Sequence, residues 1–238
     1  MPIPSVTILL PMTLHSKRST LHLQAILVLT ALLVACTTDS YDKGQGKYSL
    51  LQAELVDLDI NGQKEAAAFI LDDGSRFTLT PPATAKWIET ADTVYRAVLY
   101  FNKLSETTAE VVSLGAVPTL RAVEHWKLKK QPENPTGIES AWLSKNDKYL
   151  NLALLLKAGQ ADDNDGTQTV GLAQDTIRKN DDQTCTACFR LLHDQCGVPQ
   201  YYTIRRYISI LLPDTVALDT IRLTIPTYEG KKERVFIP

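Results

Sequence analysis

Three cysteines and a histidine fall within the thirteen residues TCTACFRLLHDQC (184–196), at the spacing C-x2-C-x4-H-x2-C. Thiols and an imidazole so close together could hold zinc or exchange disulfides. The final spacing is two residues where a zinc knuckle has four, and bulky Phe189, Arg190, Leu191 and Leu192 stand where the knuckle has its glycine. The segment also alternates as a strand does. Cys185, Ala187, Phe189, Leu191 and His193 share one face; Thr184, Thr186, Cys188, Arg190 and Leu192 share the other. At a rise of about 3.3 Å per residue, Cys185 and His193 would stand about 26 Å apart, whereas ligands of one zinc ion lie about 2.0–2.3 Å from it. Cys185 and Cys188 would point to opposite faces roughly 10 Å apart, beyond the ~6.8 Å a disulfide spans. Neither a metal nor a Cys185–Cys188 bond is expected. Cys185 reads as a small core residue, Cys188 as outward-facing, and Cys196 as part of a Gly197–Pro199 turn.

The remaining candidates give no catalytic constellation. In DDNDG (162–166), aligning Gly166 with the glycine of an EF-hand loop puts Ala161 and Leu172 where carboxylates are needed, so the stretch reads as a hairpin turn. His193 and Asp194 are adjacent, hence on opposite strand faces, and there is no G-x-S-x-G turn for a serine nucleophile. His193 therefore reads as a structural hydrogen-bonder, and His125-Trp126 as part of a domain interface. The basic groups Lys127/Lys129/Lys130, Arg205-Arg206 and Lys231-Lys232 are too sparse for a polybasic patch and read as solvated surface. No cofactor is expected.

The N-terminus says more about location. Residues 1–35 contain no Asp or Glu, carry Lys17-Arg18, and run through LHLQAILVLTALLVA into Cys36. This is a signal peptide with an apolar region shorter than the roughly 20 residues a membrane span takes. Met12 would open a more ordinary basic leader than Met1, and initiation is expected there. Leu33-Val34-Ala35-Cys36 resembles the bacterial lipobox, so Cys36 is the expected lipidation site and new N-terminus. Acyl chains contribute roughly 0.8 kcal/mol per buried methylene, enough for several of them to anchor a protein firmly. Removal of residues 1–35 leaves 203 residues, and loss of Lys17 and Arg18 leaves 23 basic against 27 acidic side chains, a net charge of −4. An acidic exported chain argues against nucleic acid as a partner.

The elements that must position these residues read as strands throughout. Residues 36–47 form a polar tether, and its Asp39 and Asp42 leave both the periplasmic face and the cell surface open. From 48 to 127, strands are expected over 48–60, 65–79 (a hairpin at Asp73-Gly74), 92–104 and 109–120, which suits a five-stranded OB-type barrel. In 92–104 both alternating sets are apolar, so this strand is covered on both faces or tightly curled. The proline-rich LKKQPENPTG (128–137) marks a domain boundary. From 138 to 238, KYLNLALLLK puts Leu150, Leu152, Leu154 and Leu156 on one face, and TIRLTIPTY turns Ile221, Leu223 and Ile225 inward. YYTIRRYISILL puts Ile204, Ile208, Ile210 and Leu212 on one face, with Arg206 the exception. Seven or so strands without a helix indicate a two-sheet sandwich.

With YLNL, LLHDQ and TYEG in this second half and FILDDGSRF in the first, the whole chain beyond the signal resembles NigD-like lipoproteins of Bacteroidetes. The resemblance implies an all-β fold, an OB-like barrel followed by an immunoglobulin-like sandwich. It implies no catalytic residues: the family takes its name from a gene neighbourhood linked to a bacteriocin. The expected role is that of a non-enzymatic outer-membrane lipoprotein, held to the membrane by its lipid, that serves as an accessory or binding module for a protein or glycan. The alternative is a bacteriocin-immunity or envelope-protective lipoprotein.

Overall fold

Alternating apolar residues close the first half into a barrel. In the computed structural model, which describes residues 50–160, 166–214 and 217–238, five strands take the order β1-β2-β3-β5-β4 and close on β1. They are β1 (Gln52–Ile60), β2 (Ala66–Leu71), β3 (Arg76–Ala83), β4 (Val94–Lys103) and β5 (Thr108–Ala116). The pairings are antiparallel except β3 with β5, the OB-type arrangement expected. Val56, Leu58 and Ile60 of β1 and Ala97, Leu99 and Phe101 of β4 fill the interior. Phe69, Phe77 and Phe101 meet there with ring centroids 4.8–6.2 Å apart. The hairpin at Asp73-Gly74 forms as its residues require: Gly74 adopts a φ of 87°, and Asp73 Oδ1 accepts from the Ser75 amide at 2.9 Å.

The sandwich consists of a five-stranded sheet, β14-β13-β11-β10-β7, and a four-stranded sheet, β6-β12-β9-β8. The ranges are β6 (Thr119–Leu120), β7 (Val123–Glu124), β8 (Gly137–Leu143), β9 (Tyr149–Ala158), β10 (Thr169–Lys179), β11 (Cys185–Asp194), β12 (Tyr202–Leu211), β13 (Thr220–Thr227) and β14 (Gly230–Phe236). Leu150, Leu152, Leu154 and Leu156 pack against Phe189, Leu191, Ile221, Leu223 and Ile225 between the sheets, as the alternation predicts. Burying one such side chain contributes about 1.5–3 kcal/mol.

Two boundaries differ from the sequence reading. Residues 119–124 were expected in the barrel, yet β6 pairs with β12 and β7 with β10, so the sandwich sheets begin before the proline-rich stretch. That stretch, expected as a linker, lies along β11. Glu133 bridges His193, and the His193 amide donates to the Pro132 carbonyl at 2.9 Å. Backbone pairing, not composition, decides membership, and short edge strands leave little periodicity to read.

The expected signal segment, tether and Cys36 lie outside the described residues, as do 161–165 of the DDNDG turn. The strands flanking that turn, β9 and β10, belong to different sheets, so the connection crosses the sandwich instead of closing a hairpin. The described residues form one compact unit.

Candidate functional site

The barrel and sandwich meet through two cross-strand pairs, one from each domain. On β1 and β4 the apolar residues point into the barrel, which turns Asp57 and Arg96 outward; the two are directly opposite in register. On β9 and β12 the leucines and isoleucines point into the sandwich, which turns Asn151 and Ser209 outward, again directly opposite each other. Arg96 joins the pairs. It donates through Nη1 to Asp57 Oδ1 at 3.3 Å, Nη2 to Asp72 Oδ2 at 2.9 Å, Nε to Ser209 Oγ at 3.3 Å and Nη2 to Asn151 Oδ1 at 3.4 Å. Asp72 Oδ1 also lies 2.7 Å from Nη1, outside hydrogen-bond alignment, so that contact is electrostatic. The guanidinium sits 4.2 Å above the Tyr149 ring, and the Arg96 side chain is 1% exposed.

Further polar groups close the joint. Ser209 Oγ donates to Asn151 Oδ1 at 2.7 Å, and Lys148 Nζ donates to Asp57 Oδ2 at 2.5 Å. Burial, the largest single influence, opposes charging of Lys148, but the hydrogen bonds to Asp57 and Tyr149 and the charge of Asp57 together outweigh it, and the ammonium titrates above its ordinary value. Burial pushes the Tyr149 phenol up, and the Asp57 charge adds to this. This is an architectural ionic network, whose charges are tolerable because they are paired.

The cysteine segment is the strand β11 expected there. Ala187, Phe189 and Leu191 enter the core; Cys185, expected among them, is only half-buried at the strand's start, where its amide donates to Asp219 Oδ2 at 2.6 Å. Cys188 is half-buried and Cys196 lies exposed after the strand with a φ of 49°; all three are free thiols. Among the described residues no three His, Cys, Asp or Glu side chains gather as a metal site. His193 is the structural hydrogen-bonder expected. It is buried, with Nδ1 3.1 Å from the Asn134 carbonyl and Nε2 3.1 Å from Gln168 Oε1.

His125-Trp126 does not make the interface expected of it. Both residues belong to a three-residue 3-10 turn whose Trp126 is 64% exposed, with the imidazole edge-on to the indole. The basic clusters are largely paired at the surface: Lys127 with Glu124, Arg205 with Glu139 at 2.5 Å, Lys231 with Glu133 at 2.7 Å and Lys232 with Glu229 at 2.5 Å. Within β12 the Arg206 backbone pairs with β9, but its side chain makes no hydrogen bond or ion pair among the described residues.

Arg206 stands at the mouth of a cavity of about 370 Å³ between the two sheets. The sheet order explains the opening. The crossing segment 119–124 lends β6 to β12 only at Ser209 and Ile210, and β7 to β10 only at Ala173 and Gln174. Beyond these positions β12 and β10 have no strand on that edge among the described residues, so the sandwich gapes there. Leu156, Val170, Ile204 and Ile208 form the apolar walls, and Pro118, Leu120 and Val198 complete them. Gln168, also lining the cavity, is fixed by donating to the Lys157 carbonyl at 2.5 Å. At the other end of β12 a groove of about 710 Å³ carries charges of both signs, Arg121 and Lys148 with Asp147 and Asp214. Sequence alternation had marked Arg206 as an exception; nothing in it marked Arg96, whose burial depends on the other domain.

No helix among the described residues is long and apolar enough to cross a membrane. No family model matches the chain, and no curated protein sequence does. Solved structures do. A NigD-like immunity protein from Bacteroides caccae is 22% identical, with a TM-score of 0.60 over 79% of this chain and 97% of that one. A candidate toxin-related protein from Parabacteroides distasonis is 18% identical, with a TM-score of 0.59 over 78% and 92%. A candidate lipoprotein from Bacteroides fragilis is 11% identical, with a TM-score of 0.55 over 78% and 96%. The likeness is one of fold, and it runs through barrel and sandwich together. The fold is that of NigD-like proteins, which the YLNL, LLHDQ and TYEG segments imply.

Proposed function

We propose that the protein is a lipid-anchored, non-enzymatic binding lipoprotein of the outer membrane, in which barrel and sandwich act as one recognition body for a protein or glycan partner. The Arg96 junction carries this reading. It fixes two β domains through buried, paired charges, so their surfaces are presented together and a partner can read both without first ordering them. The histidines support a role without catalysis: both His193 nitrogens are engaged by carbonyl oxygens, and His125 lies against Trp126. The lipobox-like Leu33-Val34-Ala35-Cys36 and the fold shared with a candidate lipoprotein support the anchor.

Cell fractionation with mass analysis of the N-terminal peptide tests the anchor. The expected result is an acylated Cys36 in the outer-membrane fraction, with Cys36→Ser abolishing acylation; an unmodified Cys36 in soluble periplasm would overturn it. Proteolysis of intact cells then separates the surface from the periplasmic face. The fold shared with an immunity protein and a toxin-related protein favours a second reading, protection against a bacteriocin. A deletion strain that becomes sensitive to bacteriocins of its relatives, and regains resistance with the gene, would establish that reading over the first.

A further inference from the structure

The gap between the sandwich sheets is an apolar slot with one cation at its mouth. Every wall residue that is not polar is aliphatic: Pro118, Leu120, Leu156, Val170, Val198, Ile204 and Ile208. Among the described residues no aromatic side chain lines it, and these walls offer nothing for a sugar or base to stack on. Its volume of about 370 Å³ lies within the ~300–1,000 Å³ of small-molecule sites. Arg206 occupies an inward-facing position between Ile204 and Ile208, with Leu154 opposite in register on β9. An arginine there lays its methylene stem along the apolar wall and keeps its guanidinium in water at the rim. Its neighbour Arg205 faces the other way and is paired with Glu139, so the two adjacent arginines differ in position and in partners.

We propose that this slot binds an aliphatic carboxylate, a fatty acid of medium chain length, with the tail between the sheets and the carboxylate on Arg206. A guanidinium presents two parallel N–H donors that match a carboxylate. One guanidinium matches one negative charge, and the aliphatic walls match an unbranched tail better than a ring. Thr167 and Gln168 stand among the lining residues as the further polar groups. The site is independent of the protein or glycan surface proposed above, so either can fail without the other.

Titration calorimetry on the polypeptide lacking the expected signal segment, with decanoate below its micelle concentration as probe and decan-1-ol as neutral control, tests the proposal. Decanoate is expected to bind and decan-1-ol to bind more weakly. Arg206→Leu should weaken decanoate by about 10- to 100-fold, the range of a hydrogen bond to a charged group, and leave decan-1-ol unchanged. Arg206→Lys should fall between, Arg205→Leu should have no effect, and Val198→Trp, which fills the slot from its loop, should weaken both ligands. Thermal melts establish that each variant is folded. Absence of decanoate binding, or binding insensitive to Arg206→Leu, would overturn the proposal. So would a peptide that pairs with the open edge of β12 where decanoate does not bind, which would make the gap a strand-addition site.

Discussion

Arg96 and Arg206 each interrupt a strand face that is otherwise apolar, and the molecule treats them in opposite ways. Arg96 stands between Val94 and Val98 on the outside of the barrel, where the sandwich covers it and Asp57, Asp72, Asn151 and Ser209 surround it. Arg206 stands between Ile204 and Ile208 on the inside of the sandwich, where the sheets part and leave its head in water. A buried cation persists only where partners compensate its lost hydration, and those partners make it a structural joint. A hydrated cation beside an apolar cavity needs no partner to be stable, and so remains available to a ligand.

The sharpest way to break the comparison is to remove the buried arginine. Arg96→Met keeps much of the volume and leaves Asp57 and Asp72 with side chains only 11% and 18% exposed and without their shared cation. Breaking a buried pair in this way costs about 3–5 kcal/mol. Denaturant unfolding of the variant should show that loss, and separate probes in the barrel and sandwich should no longer report a single transition. Adding Asp72→Asn to Arg96→Met should recover part of the stability, because one uncompensated charge is then gone. A loss below about 1 kcal/mol with one shared transition would mean that the junction does not couple the domains.

A second, more exposed ionic cluster gives an intermediate case. Lys231 donates to Glu133 at the surface of the sandwich and Arg190 donates to it from β11, at 2.7 Å each. The Lys231 hydrogen bond and then that of Arg190 hold the Glu133 carboxyl below its ordinary value. A depressed carboxyl contributes stability that is fully present above its unfolded value, about 4.3, and is lost as the pH falls through the folded one. Glu133→Gln should therefore lower stability at pH 7 by about 0.2–1 kcal/mol, the range of exposed pairs. It should also flatten the decline of stability on the acid side of pH 4.3. A wild-type acid profile unchanged by the substitution would mean that these paired charges contribute nothing to the fold.

These three sites also mark where sequence could and could not speak. The alternation of Leu150, Leu152, Leu154 and Leu156, or of Ile221, Leu223 and Ile225, is a local property of one strand, so each inward face is legible in that strand's own residues. Asn151 is just as buried as those leucines, but on the opposite face, because the barrel covers it. Burial of that kind is decided by another domain, and a single strand carries no record of it. The same limit applies to Glu133, whose proline-rich surroundings read as a linker although hydrogen bonds tie it to β11. The cysteine segment is the reverse case. Its spacing suggested a metal site, but its period of two already placed the thiols on a strand that separates them. Arg206 was visible as an outlier in its strand, while the gap beside it depends on how far β6 and β7 extend along their neighbours.

The smallest effect on stability should come from Arg206 itself, and that is what gives the comparison its force. Its side chain makes no ion pair among the described residues and its head is exposed, so Arg206→Leu removes no satisfied interaction and leaves no group stranded. Surface substitutions of this kind fall within about 0.5 kcal/mol of zero, and the added apolar contact in the slot can put the sign on the stabilising side. Denaturant unfolding of Arg206→Leu beside Arg96→Met should therefore separate the two arginines by several kcal/mol, although both replacements delete one positive charge from an apolar strand face. If Arg206→Leu instead costs more than about 1 kcal/mol, the guanidinium is held by contacts that make it structural. The two arginines would then differ in degree of burial alone, with no division of labour between joint and site.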